Sequence, residues 1–145
     1  NLKNVLERLR STISGYSGYG LSRWLVILDD IATLEWIGIP LVELTRFARA
    51  LSALCRKTNA PLIVRHHVVT PGDPDDLLRH LLQLCTYHMD VMPLASGRSG
   101  AVALHAGPCA VDIPFALIPR SAAVHYRLTD TDSVFFDRGT GGGVL

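Results

Sequence analysis

The spacing of apolar residues along this 145-residue sequence changes once, near residue 87, and this change limits the number of folds that the chain can adopt. Before it, three segments with apolar residues at helix spacing alternate with two short apolar runs, at 24–28 and 61–64. After it, strand-like runs follow one another at 87–94, 101–106, 123–128 and 133–136. Alternating helix and strand predict an α/β, three-layer fold with a largely parallel central sheet. The C-terminal half is expected to add antiparallel strands to the edge of that sheet.

The two apolar runs of the first half predict central strands. Residues 24–28 are apolar without interruption and end in Asp29 and Asp30, and residues 61–64 continue into the polar residues 65–67. Runs of this length without alternation are typical of parallel strands that are covered on both faces. We therefore expect two buried strands with polar carboxyl ends.

The third helix has a start signal in its sequence. Asp73 is a good N-cap, Pro74 suits the first helical position, and the two aspartates that follow complement the helix dipole. Leucines at helix spacing come next. We expect this helix to run to about residue 85 or 87.

Composition excludes several classes of protein. Hydrophobic residues make up 48% of the chain and charged residues 19%, which argues against disorder and coiled coil. The longest apolar run, residues 24–28, is far shorter than the roughly 20 residues of a membrane helix, so no membrane span or secretion signal is expected.

We expect one domain over 1–138 and a flexible glycine-rich tail over 139–145. The formal net charge is only +1, so a polyanion such as a nucleic acid would have to bind to a local group of basic residues.

The cysteines indicate a reducing, intracellular compartment. Cys55, Cys85 and Cys109 are odd in number, lie far apart and form no C-x-x-C pair. Neither a disulfide framework nor a zinc site is therefore expected.

The first predicted strand has the form of a Walker B strand, which delivers a carboxylate to the Mg²⁺ of a bound nucleotide. Asp29 and Asp30 are the candidate carboxylates. The phosphate-binding sequence G-x-x-x-x-G-K-[ST] is absent, because neither lysine follows a glycine. We therefore expect no catalysis within this chain, and read the two aspartates as a Walker B-like remnant.

The alternative is an active P-loop ATPase. The chain opens in a helical pattern without a methionine, so we expect that a segment precedes Asn1. In this alternative, that segment carries the phosphate loop and Asp29 binds Mg²⁺. A third possibility is an α/β domain with an unrelated binding task.

Several other residues are candidates for contacts. His66 and His67 are adjacent on a predicted strand and point to opposite faces, so they cannot ligate one ion, and we expect no metal site. Arg98 lies at the tip of a predicted hairpin turn, 96–100, where it can reach a phosphate. Trp36 lies in a predicted connection, as a core residue, an interface anchor or a base-stacking platform.

Several sequence pieces together resemble one family. They are Leu25-Val-Ile-Leu-Asp-Asp-Ile31, Leu34-Glu-Trp-Ile-Gly38, Leu44-Thr-Arg-Phe47, Val64-Arg-His-His67, Thr70-Pro-Gly72, Leu84-Cys85 and Leu94-Ala-Ser-Gly-Arg-Ser-Gly100. The chain looks like the sixth subunit of Elongator, and resembles fungal members most. The match covers roughly residues 24 to 108.

The resemblance implies a RecA-like fold without a functional nucleotide loop. It implies partners as well: Elongator subunits 4 and 5 in a hetero-hexameric ring, the Elongator catalytic core, and transfer RNA (tRNA). In this family the ring binds tRNA and serves wobble-uridine modification, while the modification chemistry belongs to another subunit. The resemblance thus implies a non-catalytic subunit without a cofactor, in the cytoplasm and also in the nucleus.

Mapped in order along a RecA-like chain, residues 32–40 and 69–76 become the two loops that face the centre of a ring. Both are acidic rather than basic, which favours RNA contact elsewhere. The candidate RNA or subunit contacts are Arg98, Arg65, His67 and Trp36.

Overall fold

The computed structural model describes residues 1–15, 24–70, 72–94 and 97–137. The chain divides into two compact units, Asn1–Leu84 and Cys85–Leu145. It combines helices with a small parallel sheet and an antiparallel sheet, which confirms the mixed α/β class. The described strands form these two sheets rather than the single sheet that the sequence predicts.

The first unit is built from helices around two short parallel strands. Its elements are α1 (Leu2–Gly15), β1 (Val26–Leu28), α2 (Ile31–Trp36), α3 (Leu41–Lys57), β2 (Leu62–Val64) and α4 (Asp76–Leu82). β1 and β2 pair in parallel, with Val26 opposite Leu62 and Leu28 opposite Val64. A parallel pair needs a crossover between its strands, and α2 and α3 provide it.

The longest helix, α3, forms because local signals and packing agree. Glu43 lies in its first turn and Arg56 and Lys57 in its last, which complements the helix dipole. Its buried stripe contacts both halves of the core and consists of Leu44, Phe47, Ala48, Leu51 and Cys55. The turn that follows places Asn59 at a φ of 53°, a conformation that asparagine tolerates better than most residues.

The helices that the structure describes cover the parallel strands on one face only, so the predicted burial of both faces is wrong. Alternate residues of the strands, among them Val26, Leu28 and Val64, pack against the core clusters built on α2, α3 and α4. The residues between them point the other way: Leu25 is 53% exposed, Ile27 60% and Ile63 52%. We call these three residues the outer sheet face. The described helices all pack on the opposite side, which is why the continuous apolar run did not mean two covered faces.

Two helix predictions also need correction. Residues 31–36, predicted as a connection, form α2, which begins at the capping residue Asp30. α4 begins two residues later than predicted, because Asp75 rather than Asp73 is its N-cap, and it ends at Leu82. Asp75 is the N-cap because its side chain accepts a hydrogen bond from Leu78 N–H at 2.7 Å.

The second unit is an antiparallel sheet with the strand order β3-β4-β5-β6. Its elements are β3 (Tyr87–Pro93), β4 (Ser99–Ala106), a 3₁₀ turn (Arg120–Ala122), β5 (Val124–Leu128) and β6 (Ser133–Phe136). The four strands match the four runs predicted from the sequence. The predicted turn between 128 and 133 is confirmed, since Thr129 N–H donates to the carbonyl of Asp132 at 2.8 Å.

Some predictions fall outside the described residues. These are most of the Gly-Tyr loop after Gly15, part of the hairpin turn 96–100, and the glycine-rich tail 139–145. A single domain over 1–138 stays a prediction. Among the helices that the structure describes, none is long and apolar enough to span a membrane.

Candidate functional site

The carboxyl edge of the parallel sheet brings together most of the residues singled out from the sequence. Asp29 follows β1, and Arg65 follows β2. Because Leu28 lies opposite Val64, the next residues of both strands are neighbours, and Arg65 Nη1 donates to Asp29 Oδ1 at 2.8 Å. Both side chains remain largely exposed. The carboxylate of the Walker B-like strand is thus engaged in a surface ion pair.

Asp30 has a different task. Its backbone is extended, and its Oδ1 accepts a hydrogen bond from Ala32 N–H at 3.0 Å, so it is the N-cap of α2. The peptide bond between Asp29 and Asp30 is cis. The two adjacent carboxylates therefore act separately, one pairing with an arginine and one starting a helix.

His66 and His67 follow β2 and differ in exposure, and their orientation to opposite faces of a strand stays a prediction. The side chain of His66 is only 7% exposed, and its Nε2 lies 2.6 Å from Asp75 Oδ2. His67 is exposed. A shielded imidazole held by a carboxylate is a packing group that links the segment after β2 to the start of α4.

The pKa of Asp75 is shifted by this environment. Burial raises the pKa of its carboxyl group, but hydrogen bonds from Leu78 N–H and His66, the charge of His66 and the N–H of Leu77 together outweigh burial. The net result is a pKa below the usual value of an aspartate. Asp75 is therefore ionised at neutral pH and accepts its hydrogen bonds as a carboxylate.

A cavity of about 310 Å³ lies at the same edge of the sheet. It is lined by residues of the two segments that the resemblance places together, 32–40 and 69–76, and by their neighbours. Its lining consists of Glu35, Leu41, Val68, Val69, Thr70, Asp73, Pro74, Asp75 and Asp76. Four of these side chains are acidic and none is basic, so the cavity repels phosphate groups.

The remaining candidate contacts are exposed and are divided between the two units. Trp36 is the last residue of α2 and is exposed, so the core interpretation of this residue is wrong. Arg98 belongs to the second unit, where its backbone carbonyl accepts a hydrogen bond from Leu128 N–H at 2.6 Å. Arg65, His67 and Trp36 belong to the first unit.

The antiparallel sheet carries a cluster of charged side chains that was not predicted from the sequence. Asp90 accepts a hydrogen bond from Arg120 Nε at 2.6 Å and lies 3.0 Å from His88 Nε2. His105 Nε2 is 3.5 Å from the same carboxylate, beyond ordinary hydrogen-bond length. His88 and Asp90 are two residues apart on one strand, a spacing that signals a shared face. The pairing of His88 with His105 needs the strand register, which no local pattern provides.

Neither cluster is arranged as a metal site. Within the described ranges, no group of three or more His, Cys, Asp or Glu side chains is placed to hold a metal ion. Asp90 is instead neutralised by Arg120, and Asp29 by Arg65. The chemistry that these arrangements support is ion pairing and capping within the chain.

Comparison with known proteins adds no family assignment. No family model matches this chain, and no curated protein matches it.

Proposed function

We propose that this chain is a non-catalytic, RecA-like subunit of a protein assembly, and that the assembly is the Elongator accessory ring with subunits 4 and 5. The outer sheet face carries this proposal. Three large aliphatic side chains are each more than half exposed there, next to one another on a sheet. A contiguous apolar surface on a folded unit is typical of an interface with another protein.

The outer sheet face has the make-up of an interface. Leu25, Ile27 and Ile63 provide an apolar centre, and the Asp29–Arg65 pair lies at its rim, because these residues continue the same alternation along the strands. Protein interfaces commonly combine an apolar centre with a polar rim. The proposed occupant is an adjoining subunit of the ring, and this cover completes the three-layer arrangement on which a RecA-like fold depends.

The carboxyl edge favours a structural role over nucleotide hydrolysis. A Walker B carboxylate serves Mg²⁺, whereas Asp29 is paired with Arg65 and Asp30 caps α2. The neighbouring cavity is acidic, which is unfavourable for a triphosphate. These contacts support a subunit that uses its surface rather than a nucleotide pocket.

Assembly is tested by co-expression with Elongator subunits 4 and 5, followed by size-exclusion chromatography with light scattering. We expect a hetero-oligomer from the unchanged chain and a monomer from the double variant Ile27→Asp, Ile63→Asp. Val42→Asp is the matched control, because Val42 is a similarly exposed aliphatic residue on α3, outside the outer sheet face. A chain that stays monomeric beside both partners contradicts the proposal.

The RNA-binding part of the proposal is tested separately on the assembled ring. Arg98→Ala is expected to weaken tRNA binding and to reduce the slope of log affinity against log salt by about 1, since one phosphate contact is lost. Arg8→Ala, an equal change of charge at an exposed position of α1, is the control. Equal slopes for both variants would remove Arg98 from the interface. Turnover of ATP by this chain alone, lost in Asp29→Ala, would contradict the non-catalytic role.

A further inference from the structure

Two cysteines flank the hairpin of β3 and β4. Cys85 lies two residues before β3, and Cys109 lies three residues after β4. The register pairs Tyr87 with Ala106, so both cysteines come at the same open end of the hairpin. Backbone pairing continues toward them, with Gly107 N–H donating to Thr86 O at 2.8 Å and Cys109 N–H donating to Cys85 O at 3.2 Å.

The backbone geometry suits a disulfide bond. The register that pairs Tyr87 with Ala106 continues to Cys85 and Pro108, so Cys109 lies one residue beyond the position opposite Cys85. Standard backbone bond lengths on either side of the 3.2 Å hydrogen bond keep the two Cα atoms within about 7 Å of each other. A disulfide spans Cα separations of about 4.4–6.8 Å. The hydrogen bond between Cys109 and Cys85 therefore keeps the two residues close enough for a small backbone adjustment to bring their sulfur atoms into bonding range.

The side chain of Cys85 lies on the turn that leads to Cys109. A Cβ atom at Gly107 would lie 2.5 Å from Cys85 Sγ, and it would also collide with the carbonyl oxygen of Cys85. Only glycine leaves room for this packing. The glycine thus lets the Cys85 thiol lie against Gly107, two residues before Cys109.

We propose that Cys85 and Cys109 form a reversible disulfide when the chain encounters hydrogen peroxide. In the first step, one thiolate sulfur attacks a peroxide oxygen, the O–O bond breaks, and hydroxide leaves. The resulting sulfenic acid is attacked by the second sulfur, so that the S–S bond forms and the S–O bond breaks. The two thiol protons combine with the two oxygens and two hydrogens of the peroxide, and leave as two molecules of water. The thiols lose two electrons in total, and peroxide accepts them.

The surroundings of Cys85 raise the pKa of its thiol. Burial raises the pKa of its thiol above the usual value, a hydrogen bond from its own backbone opposes this, and the charge of the Cys109 thiolate raises it further. Less thiolate at neutral pH means slower attack on peroxide. Disulfide formation is therefore expected to accelerate as the pH rises.

The disulfide would restrain a defined part of the second unit. The segment after Cys109 leads to the 3₁₀ turn, whose Arg120 binds Asp90 on β3. A bond between Cys85 and Cys109 closes a loop around the whole hairpin and removes conformational entropy from the unfolded chain. Oxidation should thus raise the urea midpoint of unfolding, and dithiothreitol should lower it again.

Peptide mapping of the oxidised chain tests the proposal directly. Cleavage after arginine separates peptide 80–98, which contains Cys85, from peptide 99–120, which contains Cys109, and from peptide 50–56, which contains Cys55. After graded peroxide and alkylation, we expect peptides 80–98 and 99–120 linked within a monomer, two hydrogen atoms lighter than the two thiol peptides. Dithiothreitol should release them.

Variants provide the controls. Cys55 is buried in α3, so Cys55→Ser should leave the link intact, whereas Cys85→Ser and Cys109→Ser should each abolish it. The map of the unchanged chain decides the question even if a variant fails to fold. Sulfinic or sulfonic acid without a link, a link that includes peptide 50–56, or a link between two chains would overturn the proposal.

Discussion

The two sheets of this protein place their charged side chains differently. In the parallel sheet, Asp29 lies beyond the end of β1, where its side chain is 53% exposed. In the antiparallel sheet, Asp90 lies within β3, where its side chain is 13% exposed. Each carboxylate pairs with an arginine, at 2.8 Å in the first case and 2.6 Å in the second. The two ion pairs therefore have the same chemistry, but Asp29 is more accessible to water than Asp90.

This difference determines what each ion pair contributes to stability. In water, an exposed pair gains little, because solvent screens the charges and the long side chains lose conformational entropy. A shielded carboxylate has given up its hydration and depends on its partners. Asp90 is thus expected to matter for folding, while Asp29 remains available at the surface.

The largest expected effect comes from Asp90. Asp90→Asn removes the charge that Arg120 and His88 bind, and we expect a loss of about 2–3 kcal/mol in the free energy of unfolding. Asp29→Asn, the matched change in the other sheet, should cost less than about 1 kcal/mol. Urea unfolding of both variants measures the difference. Equal losses would show that exposure does not separate the two pairs.

The two units also differ in the reason why they need a particular glycine. Gly107 in the second unit is needed for space, because a Cβ would meet backbone atoms of Cys85. Gly38 in the first unit has open space but a φ of +90°, so it is needed for its conformation. We expect Gly107→Ala to cost about 2 kcal/mol through forced backbone movement, and Gly38→Ala about 1 kcal/mol through backbone strain. Urea midpoints at equal slope would measure both, and a neutral Gly107→Ala would contradict the tight contact.

The elements of the second unit were predictable, and their joint arrangement was not. Each strand is recognisable from the composition of its own segment. For example, the strand Ser133–Phe136 has the bounds that the sequence predicts. The Asp90 cluster depends on His105, which comes from another strand, and on Arg120, which lies 30 residues further along the chain. Such contacts are set by strand register and by the path of a connection, and neither leaves a local pattern.

In the first unit, the same apolar run allowed two interpretations. Five apolar residues before Asp29 predicted a strand, which is confirmed, and cover on both faces, which is wrong. Cover depends on the side from which helices pack, and that is a property of the whole unit. The helix α2 was missed because Asp30 looked like part of a Walker B strand, although aspartate is also a common N-cap.

Acid should affect the first unit through Asp75. The pKa of this carboxyl is lowered in the folded chain, so its contribution is complete above the unfolded value of about 3.9 and is lost as the pH falls through the folded value. Asp75→Asn turns charge-assisted hydrogen bonds into neutral ones, and should cost about 1 kcal/mol at pH 6. This cost should shrink at acidic pH, where the unchanged chain also loses the charge.

Urea unfolding at several pH values measures this dependence. Asp73→Asn is the control, because Asp73 is an exposed neighbour that also lines the cavity but is not the N-cap of α4. A cost of Asp75→Asn that stays constant down to the lowest pH would contradict the assignment of the depressed pKa to these hydrogen bonds.

The smallest effect on stability is expected at the outer sheet face. Ile27→Ser replaces a side chain that is already 60% exposed, so the free energy of unfolding should change by less than about 0.5 kcal/mol. Its neighbour Leu28 packs against both core clusters, and Leu28→Ala should cost about 2 kcal/mol or more. Of these two adjacent residues, Leu28 thus contributes to the stability of the fold, and Ile27 contributes to the exposed surface. A loss of 2 kcal/mol from Ile27→Ser in the isolated chain would mean that the chain itself buries this face, and no surface would then remain there for a partner.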